Sequence, residues 1–265
     1  MTVSICVAGA TGWTGRAVAE GVLAADDLTL VSAVSRAAAG QDLGTAWGGD
    51  ANGVPVFGAV AEALDGVDVL IDFTSHDAVL DHTLTAIAAR VSVVVGTSGL
   101  GADQFAEIEA VAIENGVAVV AAGNFSLTAA LAQAAVILAA KHLPSWEIID
   151  YASAAKPDAP SGTARELAER LSQLRAPVTA VPVADTAGHV EARGATVAGS
   201  QVHSVRLPGF SVATETVFGL PDERLTIRHD AGSSAAPYVG GTLLAARAVG
   251  GRHGLTRGLD TLLLG

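Results

Sequence analysis

Unbroken apolar runs punctuate the first half of the chain: VSICVAG, LTLVSAVS, VDVLIDF, VSVVVGT and VAVVAAG. Runs of this length read as strands buried on both faces, the signature of a parallel sheet. Between them lie stretches of helical period such as WTGRAVAEGVLAA and ADQFAEIEAVAIENG. The alternation predicts repeated βα units with right-handed crossovers, an open sheet that takes ligands at its strand C-terminal ends. From about Asn124 the texture changes. A long apolar helix is expected near Ser126 to His142, then the strand WEIIDYA, a Pro-Gly segment and a helix around Ser161 to Leu174. After it, TVAGSQVHSVRLPG, SVATETVFGLPDE and RLTIRHDAG alternate like antiparallel strands joined by PG and PD turns. Pro237 to Val249 returns to a helical period and is apolar enough to dock on the first domain. The organisation predicted is α/β: a parallel-sheet domain, residues 1–123 and 235–265, enclosing an α+β domain, residues 124–234, with a mixed or antiparallel sheet.

Composition narrows the function classes. Half of the 265 residues are hydrophobic and only 4% aromatic, which suits helices packed closely on a parallel sheet. The formal net charge is −12 with Lys and Arg scattered, so a nucleic-acid partner would meet repulsion. A small anion can still be held by a helix N-terminus and a few local cations. The lone cysteine, Cys6, rules out an internal disulfide and any multi-cysteine cluster. No two of the seven histidines form an HxxxH or HxH pair, so no metal site is expected. The start lacks a basic region before an apolar stretch, and no apolar run reaches spanning length, so a cytoplasmic protein without a membrane partner is expected.

The opening VAGATGWTGRAV places Gly9, Gly12 and Gly15 directly after the first strand and at the head of a helix. Glycine permits the tight turn and lets backbone amides approach a pyrophosphate, which marks this as a Rossmann-type dinucleotide domain. The spacing is GxxGxxG, not the commoner GxGxxG. Thr11, Trp13 and Thr14 share the loop, and Arg16 stands where it contacts phosphate or is simply a solvated helix residue. At the second strand end, where an NAD site usually presents a carboxylate to the ribose, stand Ser35 and Arg36. A hydroxyl and a guanidinium suit a 2′-phosphate, favouring NADPH with NADH as the alternative. Further strand ends offer cofactor walls: Phe73 and Thr74; Gly96, Thr97 and Ser98; Gly123, Asn124 and Phe125.

In the second half, Ser161, Gly162 and Thr163 follow Pro160 at a predicted helix start, where unpaired amides and hydroxyls make an anion site. Lys156 can add a charge-assisted contact or give up a proton. Taken with GATGWTGR, IDFT, VVGTSGL, AAGNFS, ARGATVAGSQVHSVRLPG and LTIRHDA, the element KPDAPSGTA resembles the dihydrodipicolinate (4-hydroxy-tetrahydrodipicolinate) reductase family over nearly the whole chain. The resemblance implies an N-terminal dinucleotide domain, a C-terminal substrate and oligomerisation domain, a homotetramer or homodimer, and reduction of a cyclic imine by NAD(P)H in lysine biosynthesis. It also implies that Lys156 is the active-site lysine and that Ser161, Gly162 and Thr163 hold a substrate carboxylate.

One departure is plain. Where the family carries a histidine-rich run, whose first imidazole is proposed to donate a proton, this chain has Ala152, Ser153, Ala154 and Ala155. Loss of a general acid typically costs about 10²- to 10⁴-fold in rate. Hydride transfer stays feasible, with Lys156, Tyr151 or water as proton source, or none if the iminium is already protonated. Ser153 is kept with the substrate contacts, and Arg206, after VHSV, lines the substrate side or is an ordinary sheet-surface arginine. The leading expectation is an NADPH-dependent reductase of a C=N bond with altered specificity. The alternatives are the lysine-pathway reaction itself and a non-catalytic NADPH-binding scaffold.

Overall fold

The computed structural model of the chain describes residues 2–264, which divide into two compact units, residues 2–127 with 235–264 and residues 128–234. In the first unit the apolar runs become β1 (Val3–Ala8), β2 (Leu28–Val34), β4 (Val69–Asp72), β5 (Ser92–Val95) and β6 (Ala118–Ala121). Two short strands not foreseen from the sequence, β3 (Val56–Phe57) and β12 (Gly254–Arg257), extend the sheet at its two edges. The order is β12-β6-β5-β4-β1-β2-β3 and every pairing is parallel. The strands lie buried, Ile5, Cys6, Leu70, Ile71, Val93 and Val94 at zero exposure, because helices cover a parallel sheet. Each such fully buried aliphatic side chain stabilises the fold by roughly 1.5–3 kcal/mol.

The helices of this unit are α1 (Trp13–Leu23), α2 (Leu43–Ala46), α3 (Val79–Ala88), α4 (Ala102–Asn115), α7 (Ala236–Ala248) and α8 (Asp260–Leu264). The α7 helix packs on α1, so the chain's last segment completes this unit. Register pairs Ala8 with Val34 and Asp72, Asp72 with Val95, and Val95 with Ala121. Shared direction therefore brings the loops after β1, β2, β4, β5 and β6 to one edge.

The second unit contains most of α5 (Leu127–His142), then β7 (Trp146–Ala152), α6 (Gly162–Ser172), β8 (Ala195–Val197), β9 (Ser200–Arg206), β10 (Val212–Leu220) and β11 (Glu223–Ala231). Its sheet runs β11-β10-β7-β9-β8. The sheet is mixed: β9 pairs with β7 in parallel, while the other pairings are antiparallel as the sequence of the last part suggests. The cause of the parallel pair is connection length: the chain passes through α6 and a long segment before β9, and such a crossover returns a strand in the direction it left. Along β7, Trp146, Ile148, Asp150 and Ala152 are buried and alternate with partly exposed Glu147, Ile149 and Tyr151. The buried face meets Val136 and Ala140 of α5 and Leu167 and Leu171 of α6.

Two adjacent glycines of α7 differ in what surrounds them. A Cβ at buried Gly241 would collide with the Phe125 carbonyl, whereas one at exposed Gly240 would meet only Leu127 Cδ1, at 3.6 Å. Gly241→Ala is expected to destabilise the protein by about 1–3 kcal/mol. Gly240→Ala should be neutral or stabilising by up to about 1 kcal/mol, because alanine favours a helix. Paired denaturation curves check this, and equal effects would show that the close approach at Gly241 is not made.

Candidate functional site

The glycine loop is held closed by backbone bonds, Gly12 N to Gly9 O at 2.8 Å and Arg16 N to Gly12 O at 2.9 Å. Gly9 has φ +82°, and any Cβ there would strike the Phe73 carbonyl; one at Gly15 would strike the Gly9 carbonyl. The loop therefore requires glycine at both positions. Gly12 is the N-cap of α1 and offers no side chain to it, leaving the first-turn amides of Trp13, Thr14 and Gly15 for an anion. Thr11 Oγ1 lies 2.7 Å from Ser35 Oγ, tying the loop to the second strand end, where Arg36 is exposed and no carboxylate intrudes. Trp47 Nε1 donates to Ala10 O at 3.0 Å, and the Arg16 guanidinium stands 5.2 Å over the Trp47 ring while pairing with Glu20. The exposed Trp13 ring meets Tyr238 edge-on at 6.0 Å. The close glycine cradle, the uncapped helix start and the cation at the second strand end fit a dinucleotide carrying phosphate.

The loops after β4, β5 and β6 lie beside this one. Gly96 leaves room for the Phe73 ring, which a Cβ would strike, and Phe73 packs edge-on against Phe125 at 6.0 Å. Asn124 Oδ1 accepts from Ser126 N at 2.8 Å, fixing the turn that carries Gly123 and buried Phe125. Phe73, Thr74, Gly96 and Thr97 are partly exposed and Ser98 is open to solvent. Beneath them is a residue the sequence reading passed over, Asp72, fully buried at the end of β4. Its Oδ1 accepts from Thr74 N, Thr74 Oγ1 and Thr97 Oγ1 at 2.9, 2.7 and 2.7 Å, and its Oδ2 from His82 Nδ1 at 2.8 Å. Burial works to raise the Asp72 carboxyl, but the donors from His82, Thr74 and Thr97 outweigh it and hold it below the usual aspartate range.

In the second unit Ser161 caps α6, its Oγ accepting from Ala164 N at 3.3 Å, and Gly162 and Thr163 stand in the first turn. Behind this turn lies another buried carboxylate that went unremarked in the sequence. Asp150 Oδ2 accepts from Ser161 N at 2.8 Å, from Arg206 Nη2 at 2.7 Å and from Ser204 Oγ at 3.3 Å. Arg206 also donates to the Asp150 and Asp158 carbonyls, at 3.2 and 2.7 Å. Its guanidinium is thus drawn inward to brace the loop between β7 and α6. Lys156 Nζ pairs with Asp158 Oδ1 at 2.8 Å and stays partly exposed. Partial burial works to raise the Asp158 carboxyl, yet the Lys156 ammonium overrides it and keeps the group ionised.

Ala152 ends β7, and Ser153 to Lys156 form a turn, with Lys156 N donating to Ser153 O at 3.0 Å and Ala155 N to Ser153 Oγ at 3.2 Å. Ala152 is fully buried, so an imidazole there would have to displace its neighbours; Ala154 and Ala155 are exposed. Tyr151 occupies the sheet face opposite Asp150, where its hydroxyl donates to Glu215 Oε2 at 3.2 Å beneath Arg228. Burial, then the Glu215 carboxylate, push its hydroxyl above the usual tyrosine value, which makes it a poor acid. Other histidines have structural partners: His203 bonds Glu147 at 2.7 Å and His229 bonds Thr128 at 3.0 Å. Among the described residues no cluster of three or more His, Cys, Asp or Glu could hold a metal, and no helix is long and apolar enough to cross a membrane.

Asp72 and Asp150 had one sequence signal in common: an acidic residue in the closing positions of an otherwise apolar strand, in VLID and WEIIDYA, where burial demands partners. His82, ten positions after Asp72, carried no such mark.

Comparison with known proteins agrees with this construction. Residues 3–125 match the family model "Dihydrodipicolinate reductase, N-terminus", and residues 124–263 match "Dihydrodipicolinate reductase, C-terminus". The chain is 38% identical to the 4-hydroxy-tetrahydrodipicolinate reductase of Thermosynechococcus vestitus, over 98% of this chain and 97% of that protein. It is also 38% identical to the Moorella thermoacetica protein of the same name, over 99% and 98% of the two chains. Among solved structures, dipicolinate-bound dihydrodipicolinate reductase from Paenisporosarcina sp. TG-14 superposes with a TM-score of 0.79 at 28% identity, covering 98% of this chain and 99% of that one. GenD2 from gentamicin A biosynthesis, in complex with NAD, shares the fold at a TM-score of 0.65 and 16% identity, covering 99% of this chain and 90% of that one. With both halves matched and full-length relatives at 38% identity, the chain belongs to the dihydrodipicolinate reductase family.

Proposed function

We propose that this protein is a 4-hydroxy-tetrahydrodipicolinate reductase of lysine biosynthesis, reducing the C=N bond of its cyclic imine with NAD(P)H. The observation that carries this reading is the corner built from Lys156 and Ser161-Gly162-Thr163, an ammonium in the loop that leads to the Ser161-capped N-terminus of α6, suited to a carboxylated substrate. NAD(P)H, when bound, supplies the hydride. Amides of Trp13, Thr14 and Gly15 receive its pyrophosphate, Ser35 and Arg36 its adenosine ribose, and the loops bearing Phe73, Thr97 and Asn124 its nicotinamide end. Lys156 and the first-turn amides of α6 hold and orient the substrate carboxylate. Arg206 and Asp150 act behind them, keeping the loop in place. With no imidazole at 152–155, the proton for the imine nitrogen comes from Lys156 or water.

One observation favours a second reading within the same family. With Ala152, Ser153, Ala154 and Ala155 in place of a histidine-rich run, the stretch before Lys156 is small and less basic, which fits an imine larger or less charged than the pathway substrate. The two readings separate on turnover: the pathway imine should be reduced with kcat/KM at least about tenfold above any other cyclic or acyclic imine tried. The reverse ranking would establish the altered specificity.

Lys156→Ala is expected to lower kcat/KM for the imine by about 10²-fold or more, with dinucleotide Kd unchanged within about twofold. Retention of near-full activity would remove the lysine from the chemistry. Arg36→Glu should weaken NADPH about tenfold while leaving NADH within about twofold, since a carboxylate repels the 2′-phosphate. Titration calorimetry with both nucleotides checks it, and equal loss for both would refute a 2′-phosphate contact. The depressed Asp158 carboxyl predicts that its pair with Lys156 persists above the ordinary aspartate range and is lost as pH falls below it. Asp158→Asn should therefore leave the position of any acid limb above about pH 5 unchanged.

A further inference from the structure

The first unit contains one side-chain network whose size exceeds what packing a strand end requires. Asp72 is wholly buried, and its two carboxylate oxygens accept four bonds from three separate segments. Thr74 lies in the loop after β4, Thr97 in the loop after β5, and His82 in the first turn of α3. Thr97 Oγ1 also reaches the Asp72 carbonyl at 3.3 Å, and His82 Nδ1 lies 3.4 Å from Thr74 Oγ1. An ionised carboxylate requires the proton on Nδ1, so the bond fixes the ring's tautomer as well as its orientation. His82 is thus anchored by helical backbone on one side and by the carboxylate on the other.

We propose that His82, acting through Asp72, is a positioning residue for the nicotinamide end of the bound dinucleotide. The proposal rests on the cofactor reading above. Thr74 and Phe73 share one loop, and Thr97 and Gly96 share the next, so one buried carboxylate sets the spacing of two walls at once. Removing the His82 donor leaves Asp72 with fewer bonds than a buried charge needs, and the two threonine loops lose their common reference. His82 itself touches neither substrate nor cofactor in this scheme.

The bonding atom decides the test. Asparagine places an amide nitrogen at the same bond distance from Cα as Nδ1, whereas glutamine places it where Nε2 stands. His82→Leu is expected to raise the Kd and KM for the preferred dinucleotide about tenfold, with KM for the imine within about twofold. His82→Asn should restore cofactor KM to within about threefold of the unaltered enzyme, and His82→Gln should not. Thr97→Val, which removes one donor only, should raise cofactor KM by about threefold or more. Should the leucine variant fail to fold, the asparagine, glutamine and valine variants decide the matter. Unchanged dinucleotide affinity in the glutamine and valine variants, or equal shifts for asparagine and glutamine, would overturn the proposal alone. Failure of the unaltered protein to bind either NADPH or NADH would overturn the cofactor reading and this proposal with it.

Discussion

A carboxylate buried at the end of an apolar strand must collect hydrogen bonds, and this structure uses that requirement twice. Leaving such a charge unpaired costs far more than any single contact returns, so the chain around it has few conformations to choose among. At the end of β4, Asp72 gathers donors from two loops and a helix. Near the end of β7, Asp150 gathers the Ser161 amide, the Ser204 hydroxyl and the Arg206 guanidinium. In each unit the residues that would meet ligand are loop residues, which are mobile unless tied down. The buried acids supply the tie, and each bond to an ionised group is worth about 1.5–3 kcal/mol.

The same logic explains how the second unit holds the loop before α6 without a histidine at 152–155. The shape of the Lys156 loop does not rest on the Ser153 turn alone. It comes also from Arg206, which joins the Asp150 carboxylate to the Asp158 carbonyl, and from the cap that Ser161 places on α6. Alanine at 152, 154 and 155 is therefore compatible with an ordered loop, although it offers no acid. What the structure presents there is an ammonium paired with Asp158 and a helix start capped by Ser161. Tyr151 does not supply the acid, because alternation along β7 turns it to the other face, where Glu215 and Arg228 occupy its hydroxyl.

The pattern of apolar runs alone determined that the first half forms a parallel sheet, because strands covered on both faces leave no polar alternation to mistake. The glycine loop was equally legible: Gly9 and Gly15 stand where no other side chain can fit, and that restriction is written one residue at a time. KPDAPSGTA likewise announced a capped helix start beside a lysine. Local signals of this kind survive in sequence because a residue and its neighbours suffice to define them. The two-residue β3 and the edge strand β12 escaped notice because their pairing partners, not their own patterns, make them strands. The parallel pairing of β9 with β7 and the inward turn of Arg206 depended on a crossover and on a partner 56 positions away. The bond between His82 and Asp72 likewise needed the strand end and the first turn of α3 to be set side by side. Only the folded chain decides such matters, since hydrogen bonds of buried charges are satisfied by whatever the fold brings within about 3 Å, and sequence spacing does not record that distance.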